Sequence, residues 1–142
     1  MTVYVDTSVL AAYYCPEDLS AAAEDAITAF DALIISPLTE VEFVSLVMRK
    51  RRARDFTPRK ANKILETFRA HVADGYYKKI KIESEHYYAA RDLIAKSKHN
   101  LRTLDALHLA LAHANALTLL TADRSLAAAA KAAGIVVTRV GV

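Results

Sequence analysis

Four acidic residues stand at places in the sequence where a carboxylate can do chemistry. Asp6 closes the apolar run Val3-Tyr4-Val5, and Asp123 follows Leu119-Leu120-Thr121 with one residue between. Asp105 falls in the first turn of the helix begun by Leu101-Arg102-Thr103, and Glu42 falls early in the helix after Ala32-Leu33-Ile34-Ile35. If the apolar runs are parallel strands, their carboxyl ends feed the crevice where open sheets bind ligands. Helices starting on that rim would bring all four carboxylates together. Two carboxylates about 5 Å apart repel by about 3 kcal/mol at an effective dielectric near 20, so several such pairs approach the whole stability of a domain. Such a bowl needs a counter-charge, which a buried arginine, a proton or a divalent cation can supply. Oxygen ligands without paired histidines or cysteines favour Mg2+, with Mn2+ as a substitute, over zinc.

Each acid also has a plainer use. Asp6, Asp105 and Asp123 can cap helices or complement their dipoles, worth about 0.3 to 1 kcal/mol each. Thr39-Glu40-Val41-Glu42 fits a capping box in which Glu42 reaches back to Thr39. Ser36-Pro37 is the better start, with proline in the first helical position, and it leaves Glu42 free in the second turn. That start sets Glu42 beside Leu38, Val41 and Ser45, an odd face for a carboxylate without a partner. Phe43, Val44 and Val47 lie off this stripe, so the helix from Leu38 to Arg49 is apolar nearly all round. The following helix or another chain must cover it.

The elements that position these residues alternate between strand and helix. Val3 to Asp6, Ala32 to Ile35 and Thr118 to Thr121 read as short buried strands, each followed by helix-starting chemistry, which implies parallel strands with helical crossovers. Tyr77 to Ile82, with Lys79 and Lys81 facing away from Ile80 and Ile82, suits a sheet edge, and Ile135 to Val140 is a further strand. Pro58 to Ala73 carries Ala61, Ile64, Leu65, Phe68 and Val72 on one stripe, with Thr57 as cap and Gly75 past the end. Glu83 to Lys96 sets Tyr87, Ala90, Arg91 and Ile94 on one face, and Ser125 to Ala133 is an alanine-rich helix stopped at Gly134. With 142 residues, 54% apolar and 25% charged, one domain over residues 1–142 is the expectation.

Several function classes drop out. The three glycines, Gly75, Gly134 and Gly141, can write neither GxGxxG nor a Walker phosphate loop. There is no HExxH, and His108 and His113, five apart, lie about 140° apart around a helix, which makes them poor co-ligands. No GxSxG elbow is present. Cys15, the single cysteine, reads as a small buried hydrophobe. The opening carries no basic and apolar leader, and the apolar stretch from Leu101 to Ala122 is broken by charged and polar side chains. A cytoplasmic protein with no membrane role is expected.

In these motifs the sequence resembles the PIN domain family, and within it the VapC type toxins of toxin-antitoxin pairs. The family's opening strand with an acid and small hydroxyls looks like Val3-Tyr4-Val5-Asp6-Thr7-Ser8. Its second acid, in a helix after Ser-x-Leu-Thr, looks like Ser36-Pro37-Leu38-Thr39-Glu40-Val41-Glu42. The third is similar to Leu101-Arg102-Thr103-Leu104-Asp105-Ala106-Leu107-His108-Leu109-Ala110, and the fourth to Leu120-Thr121-Ala122-Asp123-Arg124. The resemblance implies a three-layer α/β/α sandwich around a central parallel sheet and a metal-dependent ribonuclease. It implies Asp6, Glu42, Asp105 and Asp123 as ligands, directly or through water, with Thr7, Ser8 and Thr121 orienting carboxylates or waters. It also implies a homodimer and a small VapB-like antitoxin that inserts a segment near the acids, offering an arginine to them.

The charge balance fits RNA in one place. Of the net +3, the run Arg49-Lys50-Arg51-Arg52-Ala53-Arg54 supplies +5, leaving −2 elsewhere. These cations either contact phosphates or complement the dipole at a solvated helix end. Arg124, beside Asp123, is a separate candidate for the scissile phosphate. Two rival functions remain weighable. A catalytically inactive PIN-like RNA- or protein-binding module is disfavoured by the intact acid quartet. A phosphoryl-transfer or receiver domain built on Asp6 is disfavoured: aspartate-nucleophile phosphatases want an acid two residues on, where Ser8 stands, and a receiver wants acids adjoining the phospho-acceptor strand, a pattern that is not met.

Overall fold

Four parallel pairings join five short strands in the spatial order β3-β2-β1-β4-β5: β1 (Thr2–Val5), β2 (Ala32–Ile35), β3 (Tyr77–Lys79), β4 (Thr118–Thr121) and β5 (Val137–Arg139). The computed structural model describes residues 1–141. Seven helices among these residues flank the sheet: α1 (Thr7–Tyr14), α2 (Ser20–Thr28), α3 (Pro37–Arg52), α4 (Pro58–Ala73), α5 (Ser84–Lys96), α6 (Thr103–Ala114) and α7 (Arg124–Ala132). Successive side chains of a strand point to opposite faces, and β1 shows the consequence. Val3 and Val5 enter a core with α1, α2, α3 and α4, while Tyr4 enters a second core with α6 and α7. Two helical layers on one sheet make the α/β/α sandwich that the sequence implied.

The chain builds outward from β1 to β2 and β3, then returns to the other side of β1 with β4 and β5. Strand order therefore reverses at β1 and β4, and the crevice beyond their carboxyl ends is the place where such sheets take ligands. Asp6 follows β1 there, Ser36 follows β2, and Asp123 lies just past β4.

Several sequence expectations shift by a turn or a face. The edge strand stops at Lys79, although the Ile80 amide still donates to Ile35 at 3.0 Å, and β5 covers three residues of the expected Ile135 to Val140. In α3 the core takes Thr39, Phe43 and Val47, while Val41 is 66% exposed. Aromatic packing sets that phase: the Phe43 ring lies 4.6 Å from Phe68 of α4 and 5.4 Å from Tyr14 of α1. The following helix thus covers α3. In α5 the buried residues are His86 and Ala90, and Tyr87, Arg91 and Ile94 face outward. Small Ala90 clusters with Ala106 and Ala110 of α6, allowing close approach, and Arg91 spends its charge on Asp92 and the Tyr88 ring at the surface. Cys15 is buried, as expected, and no helix among the described residues is long and apolar enough to cross a membrane.

Candidate active site

Asp6 is the N-cap of α1, and its buried carboxylate is held from two elements. Its Oδ2 accepts from Ser8 Oγ at 2.6 Å, from Thr121 Oγ1 at 2.9 Å and from the Ser8 amide at 3.4 Å. Each hydroxyl has one proton, and each spends it on Asp6. The hydroxyl oxygens then accept from backbone: Ser8 Oγ from the Ala122 amide at 2.9 Å, Thr121 Oγ1 from the Asp123 amide at 3.0 Å. The turn between β4 and α7 is thereby fixed against the start of α1. All of these bonds fall on Oδ2, so Oδ1 is the oxygen left to meet a ligand.

Glu42 is oriented in the same one-sided way. Ser36 caps α3 with Pro37 in the first turn, and its amide donates to Thr39 Oγ1 at 3.2 Å, which leaves Glu42 out of the cap. Its Oε1 accepts from Thr7 Oγ1 at 3.0 Å and bonds to His108 Nε2. His108 is fully buried, and its Nδ1 lies 2.6 Å from the Tyr4 hydroxyl, itself 2.8 Å from Ser36 Oγ. Asp123 caps α7, its Oδ1 accepting from the amides of Ser125 at 2.9 Å and Leu126 at 3.2 Å. Its plainer capping role is therefore real, and Oδ2 remains available.

Asp105 reports how near the others are. Its carboxyl is held above the ordinary aspartate range, first by burial, then by the charges of Asp6 and Asp123, with Glu42 adding to them and His108 opposing. Acids from positions 6, 42, 105 and 123 thus share one electrostatic field. Asp105 and Asp123 line a cleft of about 500 Å³ together with His99, Arg102, Arg124 and Ser125.

The sequence-predicted residues separate into two groups. Asp6, Glu42, Asp105, Asp123, Thr7, Ser8 and Thr121 come together, and Arg124 stands on the rim of their cleft. Arg49, Lys50, Arg51 and Arg52 occupy the last turn of α3, with Arg54 just beyond at φ 65°. Ten residues of helix separate Glu42 from Arg52, about 15 Å along the axis. The basic run therefore sits away from the acids, and Arg51, Arg52 and Arg54 line a groove with Met48 and Phe56. Sequence reasoning missed Tyr4, His99, Arg102 and, above all, His108. His108 follows Asp105 by three residues, a spacing that puts both on one helical face, and that was its available signal.

The donor set suits a hard divalent cation: carboxylate oxygens from four elements, neighbours whose charges resist one another, and one oxygen of Asp6, Glu42 and Asp123 left outside the internal bonds. As oriented, no three Asp, Glu, His or Cys side chains among the described residues already form a ligand shell around one point.

The PIN domain model matches residues 3–132. The chain belongs to the PIN domain family. No curated protein matches the sequence. Among solved structures, this PIN domain is similar to VapC20 of Mycobacterium tuberculosis, described as a sarcin-ricin loop cleaving toxin, with a TM-score of 0.74 at 18% identity over 96% of this chain and 98% of that one. It is also similar to VapBC2 of Rickettsia felis bound to a promoter DNA fragment, with a TM-score of 0.71 at 12% identity over 99% of both chains. A VapBC-5 toxin-antitoxin structure from Mycobacterium tuberculosis gives 0.68 at 21% identity over 98% of both.

Proposed function

We propose that this PIN domain is a Mg2+-dependent endoribonuclease, with Mn2+ able to substitute, acting in the cytoplasm as the toxin of a pair with a VapB-like antitoxin. The observation that carries the reading is the raised Asp105 carboxyl: burial and three neighbouring acids make this bowl costly unless a cation neutralises it. Asp6, Glu42, Asp105 and Asp123 are the residues that would hold the ion. A bound divalent cation would supply charge to the non-bridging phosphate oxygens and to the departing oxygen, and lower the pKa of water.

The chain's own side chains do the positioning. Ser8 and Thr121 occupy Oδ2 of Asp6 and leave Oδ1 outside the internal bonds, and Thr7 occupies Oε1 of Glu42 and leaves Oε2. Arg124 and Arg102, on the cleft beside Asp123 and Asp105, suit the charge of the scissile phosphodiester. Arg49, Lys50, Arg51, Arg52 and Arg54 would meet phosphates farther along the RNA, making binding weaken with salt. The neighbours described as VapBC structures support an antitoxin partner, and a homodimer is the assembly we expect.

Total RNA incubated with the purified chain tests this reading. Cleavage should appear with Mg2+, vanish with EDTA, and fall by more than about 100-fold in Asp6→Asn or Asp105→Asn. Cleavage that survives EDTA, or full activity in either variant, would overturn it; metal binding without cleavage would favour an inactive RNA- or protein-binding module.

A further inference from the structure

His108 does not belong to the acid quartet, yet it is built into it. It lies on α6, three residues after Asp105, with no exposed surface and both ring nitrogens engaged. Nε2 faces a carboxylate oxygen, and an ionised carboxylate only accepts, so Nε2 carries a proton. Nδ1 is held at 2.6 Å by the Tyr4 hydroxyl. The Tyr4 oxygen in turn lies 2.8 Å from Ser36 Oγ. The bonds thus form one chain from the α3 cap, across β1, through α6 and back to α3 at Glu42.

We propose that His108, its ring held by Tyr4, is a positioning residue for Glu42: with Thr7 it occupies Oε1 and presents Oε2 alone to a divalent cation. The inference rests on the reading of Glu42 as a metal ligand. Glu42 is a long side chain near three other acids, so without an anchor it would swing away from them and lose rotamer freedom on every binding event. His108 removes both penalties before the ion arrives. It gives Glu42 what Ser8 and Thr121 give Asp6: a donor pair on one oxygen and freedom on the other. Imidazoles and hydroxyls bonded to ligating carboxylates act in this way on metal affinity.

The test is calorimetric titration of Mn2+ into the full chain, with melting curves on the same samples. Glu42→Gln should weaken Mn2+ binding by at least about ten-fold, and His108→Leu by about 10- to 100-fold. His108→Gln, whose side-chain amide can place an N–H where Nε2–H stands, should return close to the wild-type affinity even where its melting point stays low. Tyr4→Phe, which leaves the imidazole but removes the hydroxyl that holds its ring, should fall between. Wild-type Mn2+ affinity in His108→Leu, alongside the loss in Glu42→Gln, would overturn the positioning role. Equal losses in the Leu and Gln variants would also overturn it, as packing alone would then explain both. If His108→Leu does not fold, an unchanged affinity in Tyr4→Phe overturns it instead. Unchanged affinity in Glu42→Gln would sink the ligand reading itself, a separate failure.

Discussion

Two tyrosine–histidine pairs sit on opposite faces of the sheet with nearly the same geometry. Tyr4 and His108 have ring centroids 5.5 Å apart at 48°, and Tyr14 and His71 have centroids 5.5 Å apart at 41°. In both, the phenol meets Nδ1, at 2.6 Å and 2.7 Å. Their third partners differ. The first pair continues through Nε2 to Glu42 at the carboxyl rim of the strands. The second closes on neutral groups toward the amino ends: Tyr14 shares 2.6 Å with the Tyr77 hydroxyl, and His71 stacks at 4.2 Å on the exposed Tyr76 ring. The same two side chains thus stabilise the molecule at one pole and aim a carboxylate at the other.

Removing the acid from the rim pair should leave an ordinary buried pair behind. Glu42→Gln is expected to lower RNA cleavage by about 100-fold or more while the melting temperature holds or rises. A large loss of stability with little loss of cleavage would show that the rim pair is structural, like its counterpart.

The contrast was half visible in the sequence. The parallel strands, Ser36 as the α3 cap and the four acids follow from local punctuation: a proline in a first turn, apolar runs of four residues, acids where strands end. What escaped was set by tertiary contact. Whether α3 turns Val41 or Phe43 inward depends on Phe68, twenty-five residues later, and whether α5 buries Tyr87 or His86 depends on close alanine packing with α6. His108 is the clearest case. In the sequence it figures only as a poor co-ligand beside His113, and only the fold shows that its far nitrogen reaches a glutamate sixty-six residues away.

High pH compares the poles by stability alone. Burial pushes the Tyr4 and Tyr77 phenols up to about 12. An unfolded phenol loses its proton near 10, so between these values the folded state binds more protons and stability falls as pH rises. Each phenol contributes about 1.4 kcal/mol per pH unit. Urea unfolding between pH 10 and 12 should show this slope, and Tyr4→Phe and Tyr77→Phe should each remove one share. At neutral pH, Tyr14→Phe should cost about 1 to 2 kcal/mol, because it strips a partner from His71 and from the buried Tyr77, with RNA cleavage unchanged. A drop in cleavage there would join the two poles that the geometry separates.

Asp105 gives the smallest effect and the most pointed sign. Its folded-state carboxyl binds a proton more tightly than the unfolded chain does, because burial and the charges of Asp6 and Asp123 oppose ionisation. At pH 7, with no metal, its charge therefore subtracts from stability. The deficit shrinks as pH falls through the raised value and is gone below the ordinary aspartate range, where both states are protonated. Asp105→Asn removes the charge and keeps the shape, so the metal-free variant should melt higher than the parent at pH 7, with the gap narrowing toward pH 4. Adding Mn2+ should reverse the order, since the parent binds the ion and the variant has lost a ligand. A metal-free variant that melts lower at pH 7 would place Asp105 among stabilising caps, leaving the rim with no strain for a cation to relieve.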